Sequence, residues 1–149
     1  MNLRLARHND LSQCVDIGER FWEHSPYAGA FAYNGSAVLG LLTALVQGQL
    51  MLVAEHEEQI VAVAAVLVAS SPFDPELRVA TELFWYVDPE ARGLGVGQLL
   101  MDGLEDVARS KGAKICSMGN MSTSDPKAAE RLFKKSGYKL TEKTFTKVL

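Results

Sequence analysis

A glycine-rich segment between a predicted strand and a predicted helix carries the clearest chemical signal in the sequence. It reads Arg92-Gly93-Leu94-Gly95-Val96-Gly97. The apolar run 83–87 before it predicts a buried strand, and the residues after it predict an amphipathic helix. Glycines let a ligand approach the backbone closely, and a helix start offers free N–H groups and a favourable dipole. The segment therefore predicts a binding site for a phosphate or pyrophosphate group.

The spacing of these glycines excludes two common phosphate-binding loops. A Walker loop requires Gly-Lys-Ser or Gly-Lys-Thr, and neither follows here. A dinucleotide-binding fold requires Gly-x-Gly-x-x-Gly near the start of a βαβ unit, with an acidic residue about 20 residues later. In this chain the spacing is Gly-x-Gly-x-Gly, and the glycines lie in its second half.

The elements around this loop are predicted in the order β-α-α-β-β-β-α-β-α-β. Strands are expected over 2–7, 49–55, 59–69, 78–87 and 114–120, and helices over 10–23, 36–47, 97–111 and 125–136. Loose alternation predicts one or two closing strands within 138–149. The order predicts an α/β (α+β) fold with a mixed sheet of about six to seven strands and about four helices. Residues 1–149 are expected to form a single domain, because a chain of this length can bury its own core.

Two motifs resemble those of the GNAT acetyltransferases. The first is Arg-x-x-Gly-x-Gly, present as Arg92, Gly95 and Gly97 after a strand that ends Val-Asp-Pro-Glu. The second is the segment 129–138, Ala-Glu-Arg-Leu-Phe-Lys-Lys-Ser-Gly-Tyr, which resembles the closing helix of the family. The order of elements is also that of the GNAT fold. The resemblance implies an N-acetyltransferase that transfers an acetyl group from acetyl-CoA to a primary amine by direct attack, without a metal.

The resemblance also implies which residues would hold acetyl-CoA. Backbone groups of Trp85, Tyr86 and Val87 would pair with the pantetheine arm, and one N–H there would polarise the thioester carbonyl. The pyrophosphate would be surrounded by the amides of Arg92, Gly93, Leu94, Gly95, Val96 and Gly97. Phe133 is also assigned to the cofactor side.

Glu82 is the candidate general base for removing a proton from the acceptor ammonium. Several GNAT enzymes carry a glutamate on this strand. Period-2 alternation places Glu82 on one face with Phe84 and Tyr86. Burial among aromatic side chains is expected to raise the pKa of its carboxyl. The alternative is an exposed or salt-bridged glutamate. Other family members place the base on the next strand, but residues 118–121 include no acid.

The sequence departs from the family at the general acid. The tyrosine that usually protonates the leaving thiolate falls at Phe133, and the usual asparagine falls at Pro126. Water could protonate the thiolate, since a thiol with a pKa near 8.5 is a tolerable leaving group. Tyr138 is expected to be a core residue. Four hydroxyl groups could replace the missing acid: those of Tyr86, Ser122, Thr123 and Ser124. Of these, Tyr86 is predicted to be the second catalytic residue, beside Glu82.

The acceptor side is expected to be built from the loop after the first helix and from the loop 70–76. For each candidate residue there, the alternative is that it only packs in the core or only lies on the surface. The candidates are Trp22, His24, Tyr27, Tyr33, Phe73 and Asp74.

Composition limits the remaining possibilities. The net charge of −3 and the absence of a Lys/Arg cluster argue against nucleic acid as a partner. Cys14 and Cys116 have no metal-ligand spacing, and we expect them to be core residues in a reducing compartment. The longest apolar run, 60–69, is too short to span a bilayer, and charged residues appear before position 10. A cytoplasmic protein is expected, with acetyl-CoA and a small-molecule or protein amine as partners and a homodimer as a possibility.

A second interpretation is a GNAT-fold module that binds acyl-CoA without transferring it or that regulates a partner protein. The departures at Phe133 and Pro126 motivate it.

Overall fold

The computed structural model describes residues 1–123 and 125–149 and shows a mixed five-stranded sheet with helices on its faces. The strands are β1 (Asn2–Leu5), β2 (Met51–His56), β3 (Gln59–Ser70), β4 (Arg78–Val87) and β5 (Ala113–Ser117). The helices are α1 (Leu11–Glu23), α2 (Gly35–Gln47), α3 (Val96–Ser110) and α4 (Pro126–Lys135). Short 3-10 turns cover His8–Asp10 and Pro89–Ala91. The predicted order is confirmed through α4.

The sheet has the order β1-β2-β3-β4-β5, and only the last pair is parallel. Side chains of β2 and β3 alternate between two cores, as the period of a strand requires. Met51, Val53 and Val63 pack with α1 and α2, whereas Ala62 and Ala64 pack with α3. The sheet therefore has an α1/α2 face and an α3 face, and β4 has neighbours on both.

β4 is irregular at the point where it leaves β5. Phe84 pairs with Ala65 of β3 and Glu82 pairs with Val66, so Leu83 is an extra residue, a β-bulge. On its other side β4 pairs with β5 only from Arg78 to Thr81. Within the described residues, 82–87 therefore have no strand partner on the β5 side. We call the space between 82–87 and 118–121 the β4–β5 cleft.

The predicted closing strands are wrong. No strand is present among residues 138–149, and the sheet has five strands rather than six or seven. The apolar side chains of this segment find almost no buried surface: Leu140 is 80% exposed, Phe145 92% and Val148 70%. Alternation alone does not make a strand, because burial must offset the entropy lost when the backbone is ordered.

Predicted helix ends are mostly confirmed. The Asn34 side chain caps α2 by accepting the N–H of Ala37, and Asp125 caps α4 by accepting that of Ala128. Ser124, one of the hydroxyl groups considered for the general acid, lies outside the described residues. Gly112 follows α3 with a φ of 80°. Among the described residues, no helix is long and apolar enough to cross a membrane.

Candidate active site

The glycine loop has the backbone conformation that its sequence predicts. Gly93 and Gly95 have φ values of 81° and 80°, in the left-handed region where residues with a side chain are strained. A Cβ on either glycine would meet nothing within 4 Å, so the glycines serve the backbone conformation rather than close packing. Gly97 differs, because its Cβ would lie 3.3 Å from Leu132 and 3.4 Å from Trp85. The start of α3 is therefore packed tightly against β4 and α4.

Six consecutive amides, from Gly93 to the first turn of α3, have no acceptor among the described residues. The N–H of Arg92, predicted to belong to this group, instead donates to the carbonyl oxygen of Pro89 over 3.2 Å. Within the described part of the chain, the N–H groups of residues 93–98 make no hydrogen bond, and the first bond of α3 runs from Leu99 to the carbonyl of Gly95. Free amides at a helix start, next to left-handed glycines, form a concave site for an anion. The geometry can accept a diphosphate through the backbone alone.

The Arg92 side chain turns away from this row of amides. Its Nε donates to the carbonyl oxygen of Val87 over 3.0 Å, and its guanidinium carbon lies 5.9 Å from the centre of the Tyr86 ring. The Arg92 side chain therefore secures the end of β4, and it leaves the unpaired backbone amides as the groups that could receive an anion.

The open edge of β4 presents main-chain groups to the cleft. The N–H of Asp88 bonds to Val61 of β3 over 2.9 Å. Because successive residues of a strand direct their backbone groups to opposite sides, those of Trp85 and Val87 face the cleft and those of Tyr86 face β3. Pairing of Trp85, Tyr86 and Val87 with a pantetheine arm stays a prediction, and the open edge offers the backbone groups of Trp85 and Val87 for it.

Two side chains of β4 reach across the cleft to one peptide group. The Glu82 carboxylate accepts the N–H of Gly119 over 3.1 Å, and the Trp85 indole Nε1 donates to the carbonyl oxygen of Gly119 over 3.0 Å. These bonds fix the segment that follows β5 opposite the open edge of β4.

The Glu82 carboxyl is desolvated, as expected, but it lies on the opposite face of the sheet from Phe84 and Tyr86. Its partner Val66 belongs to the α3 core, whereas Phe84 and Tyr86 belong to the α1/α2 core. The bulge at Leu83 breaks the alternation that would have put them together. Burial nevertheless raises the pKa of the Glu82 carboxyl from 4.5 to about 7, and the Gly119 N–H offsets part of the rise. A carboxyl with this pKa can accept a proton near neutral pH.

The aromatic residues assigned to the site have different surroundings. Tyr86 is buried in the α1/α2 core with its ring edge-to-face against Phe21, and burial raises the pKa of its hydroxyl. Phe133 packs on Trp85 with 5.8 Å between ring centres, and also on Tyr138. Phe133 therefore lies on the same face of the sheet as Trp85, and its role toward the cofactor stays a prediction. The Tyr138 hydroxyl is buried, in agreement with a packing role.

Half of the predicted acceptor residues line a cavity of about 470 Å³ on the α1/α2 face. Trp22, Tyr27 and Tyr33 belong to its walls. The other three do not. His24 is hydrogen-bonded through Nδ1 to the carbonyl of Arg20, Phe73 is 96% exposed, and Asp74 accepts the N–H of Glu76 within its own turn.

Sequence reasoning missed the side of this cavity nearest the cleft. Leu83, Phe84 and Met121 line it there, and the bulge that exposes Leu83 has no signature in the sequence. Cys116 does not line the cavity, and burial raises the pKa of its thiol, so it is unsuited to be a nucleophile. Among the described residues, no group of three or more His, Cys, Asp or Glu side chains could hold a metal ion.

Solved structures share this architecture. A predicted acetyltransferase from Clostridium acetobutylicum with acetyl-CoA is 20% identical, with a TM-score of 0.74 over 97% of this chain and 94% of its own. AAC(6')-Iy with a bisubstrate analogue, CoA-S-monomethyl-acetylneamine, is 14% identical, with a TM-score of 0.77 over 98% and 95%. A transcriptional regulator from Bacillus halodurans is 18% identical, with a TM-score of 0.78 over 98% and 97%. At these identities the likeness establishes the fold.

The sequence comparison establishes the family. The model of the acetyltransferase (GNAT) domain matches residues 47–140, more than half of the chain. The protein therefore belongs to the GNAT acetyltransferase family, as its two motifs predict. Among curated protein sequences, no significant match is found.

Proposed function

We propose that this protein is an N-acetyltransferase that transfers the acetyl group of acetyl-CoA to a primary amine by direct attack. The observation that carries the proposal is the row of unpaired amides at 93–98 beside the open edge of β4. A diphosphate fits the amides, and an extended arm with amide groups of its own fits a strand edge. Coenzyme A has both parts. We further propose that residues 1–149 act as one domain.

Acetyl-CoA would lie on the α3 face and reach into the cleft. The pyrophosphate would accept from the amides of 93–98, and the pantetheine arm would pair with Trp85 and Val87. Phe133, packed against Trp85, would form part of the wall along the arm. The thioester would then lie beside the bulge at Leu83, between the cofactor side and the cavity on the α1/α2 face.

The reaction requires positioning, proton removal and charge stabilisation. Glu82 takes the ammonium proton, directly or through water, and the neutral amine nitrogen then attacks the thioester carbonyl carbon. The carbon–sulfur bond breaks, CoA leaves as a thiolate, and the second proton of the attacking nitrogen is lost to solvent to give the amide. A backbone N–H of β4 at the cleft would stabilise the oxyanion. No covalent acyl-enzyme is needed.

The leaving thiolate must receive a proton, either from a side chain or from solvent. Tyr86 is the predicted donor, but its ring is buried with Phe21 on the face opposite Glu82. A thiol with a pKa near 8.5 is an acceptable leaving group as the thiolate, so protonation by solvent after departure is sufficient. Tyr86 therefore stays a prediction to be tested by substitution.

The first experiment measures acetyl-CoA binding by titration calorimetry. Leu94 lies between the two left-handed glycines and is 64% exposed, so it can be changed without strain. Leu94→Asp adds a negative charge beside the amides and should weaken binding about tenfold or more. Leu94→Asn has nearly the same shape without the charge and should bind within about threefold of the parent. Parent protein that does not bind acetyl-CoA would refute the proposal.

A second candidate is a GNAT-fold module that holds acyl-CoA without transferring it. Phe133 favours this candidate, because it leaves the usual acid position without a hydroxyl. Thiol release from acetyl-CoA across a panel of primary amines separates the two. Tight acetyl-CoA binding with no release on any amine would support the binding module.

A further inference from the structure

The cavity on the α1/α2 face is built almost entirely from apolar and aromatic side chains. It lies between α1, the connection 24–34, α2 and β4. Its volume of about 470 Å³ is in the range of sites that hold small organic molecules. Six of its lining residues are aromatic: Phe21, Trp22, Tyr27, Phe31, Tyr33 and Phe84.

Charge is absent from this lining. Among the described residues that form it, there is no Asp, Glu, Lys, Arg or His. An ammonium group placed deep in the cavity would lose water without gaining a counter-ion, which is strongly unfavourable. A ligand with charges at both ends, or with many polar groups, is therefore excluded by the chemistry of the walls.

The two ends of the cavity differ. At one end Leu83, Phe84 and Met121 lie next to the β4–β5 cleft. At the rim, Tyr27, Phe31 and Leu41 are 37%, 59% and 43% exposed, so a ligand can enter from solvent. A ligand with a single amine fits this arrangement: the amine would point to the cleft, and an apolar group would fill the cavity towards the rim.

We propose that the acceptor is a primary amine carried on an apolar, ring-containing group, and that this group occupies the cavity between α1, α2 and β4. The inference rests on the proposed function and adds the substrate class to it. The amine nitrogen reaches the thioester from the α1/α2 face while CoA lies on the α3 face, so neither substrate blocks the other.

An acyl chain is the other occupant that an apolar cavity could take. The rim of the cavity favours the acceptor. The exposed rim gives the cavity an entrance of its own, which a chain attached to CoA does not need.

The experiment compares three amines with acetyl-CoA and monitors thiol release. Phenethylamine carries an apolar ring on its amine chain, and 1,6-diaminohexane carries a second ammonium group instead of a ring. Methylamine carries neither a ring nor a second charge. We expect kcat/KM for phenethylamine to exceed that for each of the others by about tenfold or more.

Two leucines of α2 provide a matched pair of variants. Leu39 and Leu41 are both 43% exposed, and only Leu41 lines the cavity. Leu41→Glu should lower kcat/KM for phenethylamine about tenfold, mainly through KM, and should lower the ratio of kcat/KM between phenethylamine and methylamine by at least about fivefold. Leu39→Glu should leave the ratio between the amines within about twofold of the parent.

Three outcomes would overturn the inference. Faster turnover of the diamine or methylamine would refute the apolar acceptor and leave the acetyltransferase intact. Binding of octanoyl-CoA that is tighter than that of acetyl-CoA and is weakened by Leu41→Glu would assign the cavity to an acyl chain. Bound acetyl-CoA without turnover of any amine would refute the proposed function together with the inference.

Discussion

The two faces of β4 present different kinds of binding surface. On the α3 face the groups available to a ligand are backbone amides, held by two left-handed glycines and a helix start. On the α1/α2 face the cavity is formed by side chains from two helices, the connection between them and three strands. A backbone site is local in the chain and recognises charge and hydrogen bonding, whereas a side-chain site is assembled from distant residues and recognises shape and polarity.

The bulge at Leu83 lies between these two surfaces. Without it Glu82 would share a face with Phe84 and Tyr86 and would face the cavity. With it, the carboxylate bonds to Gly119 on the α3 face and Leu83 lines the cavity. One extra residue therefore separates the candidate base from the apolar pocket while keeping both next to the cleft.

Substitution of the base should have the largest effect. Glu82→Gln keeps the shape and an oxygen that accepts the Gly119 N–H, but it cannot take a proton. We expect kcat to fall about 100-fold or more. Acetyl-CoA affinity, measured by calorimetry, should stay within about twofold, because it depends on the backbone surface. Unchanged turnover would remove Glu82 from the mechanism.

The pH dependence should report the same carboxyl. Burial raises the pKa of Glu82 to about 7, and only the ionised form is a base. We expect kcat/KM to rise about tenfold per pH unit up to pH about 7 and then level off. The measurement is thiol release between pH 5 and 9, with the acceptor concentration corrected for its own ionisation. A profile that is flat between pH 5 and 7 would contradict this environment for Glu82.

The backbone surface can be perturbed without adding charge. Gly95→Ala places a side chain at a φ of 80°, which should cost about 1 kcal/mol of folding free energy. Acetyl-CoA affinity should fall by a few-fold, because the strained loop relaxes from the conformation that aligns its amides. Gly29→Ala is the control, since its Cβ meets nothing within 4 Å and its φ is not positive. Urea unfolding and calorimetry provide the two readouts, and equal stability losses in both variants would argue against strain at Gly95.

The stability of the Glu82→Gln variant tests desolvation apart from catalysis. The folded pKa is raised above the ordinary value of 4.5, so the ionised carboxylate costs folding free energy that is fully present above pH 7. The cost disappears below pH about 4.5, where the group is neutral in both states. The variant should therefore be more stable than the parent at pH 8, by on the order of 1 kcal/mol, and no more stable at pH 4. A thermal-melting difference that is independent of pH would refute this explanation.

The smallest effect is expected at Tyr86. Its ring packs on Phe21 in the α1/α2 core, and Tyr86→Phe preserves that packing. Turnover should stay within about threefold of the parent, with solvent protonating the thiolate. A fall of about 100-fold would instead establish its hydroxyl as the general acid.

The glycine loop and the order of elements could be predicted because their determinants are local. Left-handed glycines, a capping Asn34 or Asp125 and the apolar period of a helix act over a few residues. The closing strands could not be predicted in this way. A strand needs a partner edge and a surface to bury, and the apolar side chains beyond Tyr138 remain exposed.

The sequence by itself determined the family and the α/β order of elements, and it predicted a phosphate site at residues 92–97, because each depends on patterns that are contiguous in the chain. The tertiary structure alone decided where Glu82 lies, which of the aromatic residues form a cavity, and which backbone groups of β4 face the cleft. Those features depend on one inserted residue in the β3–β4 register and on where β5 stops pairing. Both are set by packing between segments far apart in the chain, which no local pattern records.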